Sequence, residues 1–167
     1  MRLSEAITEG EWRLLAEQPS RCSDTGRRNL AVLHAMYFGG LRVSDLCDLS
    51  PWDLNGRARG ISRPTATRRA SELVVLPTET WSVLEEWADR RPRSPYFFST
   101  LSGNRLKEDY VGAFVRRYAD RAGITKPTRG VAASGERPLG SSYATRLLTR
   151  GLPDCQVARR LTSARLP

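Results

Sequence analysis

The sequence predicts a single α+β domain that is mostly helical and carries one small antiparallel sheet. The chain has 167 residues, of which 40% are hydrophobic, so it is long enough to bury one core. Apolar residues recur at helical spacing along most of its length. Only residues 57–63 and 72–76 have the composition of two short strands joined by a turn. We therefore expect one domain over residues 1–167.

Three helices are predicted before the sheet. A capping box over residues 8–11 begins the first helix, whose apolar residues then follow with helical spacing. The second helix is expected over residues 25–38, ended by the glycine pair at 39–40. A third, short helix is expected to begin with Ser44 as N-cap and to end near Ser50.

The second half of the chain continues the helical pattern. Its apolar spacing and its glycine and proline positions divide it into alternating elements and turns. The predicted elements are a helix from Thr78, a brief strand over 96–100, a turn over 102–105, a long amphipathic helix over 106–122, a loop over 130–138, a helix over 141–150 and a last helix from Asp154.

Basic charge is concentrated in two segments. The net charge is +9, and 25 of the 27 basic residues are arginine. Residues 57–71 carry a net +5 and residues 126–167 a net +6, so the rest of the chain carries −2. A GC-rich genome would explain arginine in place of lysine but not this clustering. The clusters indicate a polyanionic partner, most simply nucleic acid.

The remaining polar residues do not suggest metal, cofactor or membrane chemistry. The three cysteines lack metal-ligand spacing, and Cys47 is expected in the core. His34, the single histidine, lies in an apolar helix, which favours a core role over a zinc ligand or a catalytic triad. No apolar run approaches the roughly 20 residues of a membrane span, and the N-terminus has no signal-peptide pattern. We expect a cytoplasmic protein without metal or cofactor.

Arg42 is the candidate functional residue of the bend between the second and third helices. It follows two glycines in the stretch GGLRVSDLCDLSPWDL, at a place that could hold a guanidinium inward. The simplest role for such an arginine is to bridge helix ends. An inward guanidinium requires partners. We therefore expect Arg42 to be largely buried and hydrogen-bonded by nearby backbone carbonyls or Asp45.

Two segments resemble the catalytic domain of the tyrosine recombinases, the phage integrases and Xer-type enzymes. GGLRVSDLCDLSPWDL resembles the family's first-arginine motif. RPLGSSYATRLLTRGLP resembles its second motif, His-x-Leu-Arg-His followed by Ser or Thr, an aromatic residue, Ala-Thr and two leucines. SELVVLP, YFFST and YADRAGI also fall where the family has equivalents, so the resemblance covers about residues 5–163. It implies a tyrosine-recombinase catalytic-domain-like fold.

The resemblance also implies a phosphate-binding site in which most partners have been replaced. In such enzymes a tyrosine attacks a DNA phosphodiester, while two arginines, a lysine and histidine-type residues hold the phosphate and handle protons. Arg42 corresponds to the first arginine, so the resemblance implies that it lies in the floor of a basic groove near Arg137. The other positions hold Arg68 for the lysine, Arg137 for the first histidine, Gly140 for the second arginine, Ser141 for the next histidine and Ser163 for the last histidine.

The nucleophilic tyrosine would be expected beyond residues 159–163, and the chain stops at Pro167. The resemblance therefore predicts a domain that lacks the C-terminal tyrosine segment and the N-terminal core-binding domain. We expect a DNA-binding pseudo-recombinase of DNA recombination or integration, whose partners are double-stranded DNA and a full-length recombinase. Tyr110, Tyr118 and Tyr143 are expected to be packing residues. DNA contacts are expected from Arg42, Arg63, Arg68, Arg69, Arg105 and Arg137.

Three alternatives stay open at the level of sequence. One is an active recombinase completed by a partner that supplies the tyrosine, although Gly140 counts against it because a donated tyrosine restores no arginine. Another is an eroded integrase remnant, folded but without a function of its own. The third is an unrelated regulator whose helix over 141–150 reads a DNA groove, although Leu147 and Leu148 look buried.

Overall fold

A computed structural model of the chain describes residues 7–64 and 71–125, residues 63 and 64 by their backbone. These residues form a mostly helical domain with one three-stranded antiparallel sheet, which confirms the predicted fold class. The helices are α1 (Glu9–Ala16), α2 (Asp24–Gly39), α3 (Val43–Asp48), α4 (Thr78–Arg90) and α5 (Glu108–Arg121). The strands are β1 (Leu54–Asn55), β2 (Gly60–Pro64) and β3 (Ser71–Val75).

The predicted capping box of α1 and the predicted glycine end of α2 are confirmed, whereas the Ser23 cap at the start of α2 was not predicted. Thr8 Oγ1 accepts a hydrogen bond from the Glu11 N–H at 3.2 Å, and Glu11 Oε2 accepts one from the Thr8 N–H at 2.7 Å. The Ser23 side chain caps α2 through the Gly26 N–H at 3.1 Å. At the other end Gly40 adopts a positive φ of 62°, a left-handed conformation that glycine takes without strain, and the helix ends there.

Helix α2 lies at the centre of the core. Nearly all of its residues from Arg28 onward are buried, and the Trp12 ring of α1 stacks on Tyr37 with a centroid distance of 4.3 Å. His34 is buried as predicted, with its Nδ1 3.1 Å from the Thr80 hydroxyl of α4. Burial lowers the pKa of His34 to about 4, with a smaller contribution from the charge of Arg21.

The sheet packs on the C-terminal end of α2. In its register Ile61 of β2 lies opposite both Leu54 and Val74, and Ile61 and Val74 are buried. A Cβ placed on Gly39 would lie 3.9 Å from Ile61 Cδ1, so the helix end and the strand are in close contact. The sheet therefore packs beside the end of α2, immediately before the bend that carries Arg42.

Strand β2 begins at Gly60, three residues later than predicted. The preceding residues close a turn, in which Asn55 Oδ1 accepts a hydrogen bond from the Ala58 N–H at 3.0 Å. Arg59 ends this turn with a positive φ of 49°. An extended strand cannot include a residue in that conformation, so the ladder starts one residue later.

The strand predicted over residues 96–100 does not form. Ser99 makes one isolated bridge, while Phe97 and Phe98 are buried. Carbonyl groups of this segment accept side-chain hydrogen bonds instead: Phe97 O accepts from Trp87 Nε1 at 3.0 Å and from Arg91 Nε at 3.3 Å. These donors satisfy the backbone that a neighbouring strand would otherwise have to pair.

Helix α4 begins at Thr78 as predicted, and α5 begins two residues later than predicted. The turn after β2, the loop predicted over 130–138 and the helices predicted from residue 141 onward lie outside the described residues.

Candidate functional site

Arg42 lies at the bend between α2 and α3, where it is the N-cap residue of α3. Its backbone is extended, with φ −73° and ψ 154°, and its carbonyl accepts the Leu46 N–H at 2.8 Å. The prediction of Ser44 as N-cap was wrong, because the helix begins at Val43 and Ser44 lies within its first turn. Leu41 and Val43, on either side of Arg42, are both buried. These two apolar anchors fix the backbone of Arg42.

The Arg42 side chain is partly buried, less than the sequence analysis expected. It makes no cap hydrogen bond to α3. Within residues 7–64 and 71–125 its guanidinium has no hydrogen-bond or ion-pair partner, so the expected bonds to Asp45 or to nearby carbonyls are not formed there. Arg137, its expected neighbour, lies outside that part of the chain. No residue in these two ranges therefore occupies the guanidinium N–H groups of Arg42, which are available to a ligand as far as that part of the chain is concerned.

Helix α3 is anchored by packing and by its C-terminal end. Leu46 and Cys47 are fully buried, which confirms the core role predicted for Cys47. Burial raises the pKa of the Cys47 thiol to about 11, so the thiol is protonated and unreactive at neutral pH. At the end of the helix, the Leu49 carbonyl accepts the Phe97 N–H at 2.6 Å.

Arg105 is paired within the protein. Its Nε donates to Asp48 Oδ1 at 2.6 Å, and its Nη1 donates to the Leu106 carbonyl at 3.4 Å. The hydrogen bond to Asp48 raises the pKa of the Arg105 guanidinium above its usual value. Both partners are partly exposed, at 38% for the Arg105 side chain and 55% for that of Asp48. The predicted DNA contact at Arg105 would have to compete with this ion pair.

The basic segment over residues 57–71 is divided by β2. Arg57 and Arg59 are exposed on the turn before the strand, whereas Arg68 and Arg69 follow the strand and lie outside the described residues. A five-residue strand separates its two ends by about 13 Å. Arg63 lies within β2, where the backbone register places it opposite Glu72. Arg57 and Arg59 therefore lie at the opposite end of β2 from Pro64, the last residue of that strand.

The tyrosines of α5 take part in a buried polar network that the sequence did not reveal. Arg28 is only 3% exposed; it donates to Asn29 Oδ1 at 2.9 and 3.1 Å, to Ser99 O at 3.2 Å and to the Tyr110 hydroxyl at 2.8 Å. Asn29 Nδ2 donates to the Tyr118 hydroxyl at 3.0 Å. Both hydroxyls are thus engaged. Tyr118 is buried in the core as expected of a packing residue, whereas Tyr110 is 41% exposed and does not have the packing role that the sequence analysis expected. Two adjacent arginines near the start of a helix, such as Arg27 and Arg28, are typical of a surface. The sequence therefore gave no sign that Arg28 is buried.

No helix in the described part of the chain is long and apolar enough to cross a membrane. Among those same residues, no three His, Cys, Asp or Glu side chains are grouped so that they could hold a metal ion.

The fold and the arginine at the bend define a class of protein. The family model described as the phage integrase family matches residues 5–162, and the chain belongs to that family. Its fold is that of the tyrosine recombinase catalytic domains. The crystal structure of XerA recombinase matches with a TM-score of 0.75 at 21% identity, over 92% of this chain and 52% of that one. The lambda integrase catalytic core matches with a TM-score of 0.64 at 14% identity, over 92% of this chain and 88% of that one.

Curated relatives of the chain include tyrosine recombinases named XerD and XerC. Tyrosine recombinase XerD of Xanthomonas axonopodis pv. citri (strain 306) is 33% identical over 163 residues, covering 89% of this chain and 51% of the relative. Tyrosine recombinase XerC of Pelotomaculum thermopropionicum is 28% identical over 161 residues, covering 90% of this chain and 50% of the relative. The chain spans about half the length of these relatives.

Proposed function

We propose that this chain is a DNA-binding, recombinase-like domain that contacts the phosphate backbone of duplex DNA and does not itself cleave a strand. The observation that carries the DNA-binding part is the position of Arg42. It is held by buried neighbours at the bend of a recombinase fold, and its donors have no partner in the described part of the chain. A guanidinium in that state offers a bidentate contact to a phosphate.

Charge and family likeness support the same proposal. The net charge of +9 favours association with a polyanion, and the basic charge is concentrated in two segments, residues 57–71 and 126–167. One structural neighbour is XerH site-specific recombinase bound to its difH substrate in a pre-cleavage complex, with a TM-score of 0.72 at 20% identity. Further contacts are proposed at Arg63, Arg68, Arg69 and Arg137.

The proposed lack of cleavage rests on the sequence of the second motif. Gly140 stands where the family motif has its second arginine, and Arg137 and Ser141 stand where it has histidines. A phosphoryl group that gains charge in the transition state needs preorganised donors, and removal of one such donor typically costs about 10²–10³ in rate. The leaving oxygen also needs a general acid, which an arginine supplies poorly because it stays charged.

Salt-dependent binding to random-sequence duplex tests the DNA-binding part. We expect the logarithm of the association constant to fall linearly with the logarithm of salt concentration. Arg42→Ala should make that slope shallower by about one unit, because one phosphate is no longer neutralised. The matched control is Arg13→Ala, which also removes one positive charge but from an exposed arginine already paired with Glu9 at 2.7 Å, and it should leave the slope unchanged. A wild-type slope near zero would overturn the proposal.

A suicide substrate that traps phosphotyrosyl intermediates tests the lack of cleavage. We expect no covalent DNA adduct from the chain, and none after Gly140→Arg and Ser141→His are introduced together. That double variant should gain DNA affinity, since an added guanidinium can contact a phosphate. A tyrosine-linked adduct formed by the unmodified chain would refute the pseudo-recombinase assignment and would require a tyrosine of this chain to act as nucleophile.

A further inference from the structure

The short helix α3 connects Arg42 at its beginning to an ion pair at its end. Arg42 is the N-cap residue, and Asp48 is the last helical residue. Six helical residues span only about 9 Å, so a displacement of one end of α3 displaces the other. The C-terminal end is held by the Asp48–Arg105 ion pair and by the hydrogen bond from the Phe97 N–H to the Leu49 carbonyl.

Arg105 is poorly placed to bind a phosphate itself. Its Nε is used by Asp48 at 2.6 Å, and a second donor group, Nη1, is directed to the Leu106 carbonyl. A phosphate that approached this guanidinium would also approach the Asp48 carboxylate, and the two negative charges repel each other. Direct binding would therefore require the ion pair to break.

We propose that Arg105 is a positioning residue: through Asp48 it fixes the orientation of α3 and so the position of the Arg42 guanidinium. This inference rests on the proposed function, since it takes Arg42 as the residue that contacts DNA phosphate. Arg105 then influences DNA affinity without contributing a phosphate contact of its own.

Two single variants separate this role from direct binding. If Arg105 positions α3, Asp48→Ala and Arg105→Ala should each weaken duplex binding by about two- to five-fold, the range typical of a partly exposed ion pair, with a salt slope equal to that of the wild type. If Arg105 bound phosphate directly, Asp48→Ala would release it and strengthen binding. Arg105→Ala would in that case make the slope shallower by about one. The two models thus predict opposite signs for Asp48→Ala.

The same variants in an Arg42→Ala background test whether the effect passes through Arg42. We expect Arg105→Ala to cause no further loss of affinity there, because coupled residues are not additive. Thermal stability should fall equally in both backgrounds, since the ion pair is removed in each. In the protein that retains Arg42, the charge-reversed pair, Asp48→Arg with Arg105→Asp, should recover most of the duplex affinity that either single alanine variant loses.

Each contrary result has a distinct meaning. Salt-insensitive binding by the wild type would overturn the proposed function. Salt-dependent binding in which Arg105→Ala adds its full loss to that of Arg42→Ala would overturn only the positioning role. Unchanged affinity in Arg105→Ala, or stronger binding in Asp48→Ala, would also overturn that role while leaving the proposed function intact.

Discussion

Acid should destabilise this domain through His34, which is buried between α2 and α4. The residue is 3% exposed, and burial lowers the pKa of its imidazole from 6.5 to about 4. The unfolded chain therefore takes up a proton as the pH falls below about 6.5, whereas the folded chain resists protonation until about pH 4. The stabilisation that comes from the neutral His34 imidazole is fully present above pH 7 and is lost as the pH falls from about 6.5 to about 4.

The size of the effect follows from the difference in pKa. A pKa difference corresponds to about 1.4 kcal/mol of unfolding free energy per unit, so the His34 shift lowers the free energy of unfolding by about 3 kcal/mol once the pH is below 4. About 2 kcal/mol of this loss occurs between pH 7 and pH 5. This is a large fraction of the 5–15 kcal/mol by which proteins are typically stable, so the loss is measurable.

Urea denaturation of the wild type and of His34→Gln at pH 7 and pH 5 measures this contribution. Glutamine does not titrate and can still hydrogen-bond the Thr80 hydroxyl, which lies 3.1 Å from His34 Nδ1. Carboxylates elsewhere titrate equally in both proteins, so their contribution cancels. We expect the wild type to lose about 2 kcal/mol more than His34→Gln between the two pH values. Equal losses in the two proteins would refute the reasoning.

Two further predictions concern the hairpin and the packing of α2. Alanine at the three hairpin arginines, Arg63, Arg68 and Arg69, should weaken duplex binding. The salt slope should become shallower by about one for each phosphate that these arginines neutralise, whereas an unchanged slope would show that the turn is only solvated. Gly26→Ala should strongly lower the melting temperature, because its Cβ would lie 1.8 Å from a backbone carbonyl oxygen of the preceding loop. Gly10→Ala is the matched control: its Cβ meets nothing within 4 Å, and alanine has the higher helix propensity, so the melting temperature should not fall. Similar melting temperatures for the two variants would contradict the packing argument.

Local signals determined the elements whose ends depend on residues close in sequence. The capping box at Thr8 and Glu11 and the left-handed Gly40 specify the start of α1 and the end of α2, and both lie where the sequence predicts them. Such features involve contacts over three or four residues, so the sequence contains all the partners. The resemblance of two motifs likewise identified the family from residue types at fixed spacing.

Tertiary contacts decided where each side chain finds its partner. Residues 96–100 have the composition of a strand, but Trp87 and Arg91 supply the hydrogen bonds that a neighbouring strand would have given. Arg105 was predicted to contact DNA, yet its guanidinium is paired with the carboxylate of Asp48, 57 residues away in the sequence. The burial of Arg28 could not be predicted for the same reason: Arg28 and Asn29 donate hydrogen bonds to Tyr110 and Tyr118, which are more than 80 residues away in the sequence. A polar side chain is satisfied by whichever group lies within hydrogen-bond distance, and only the packed chain determines which group that is.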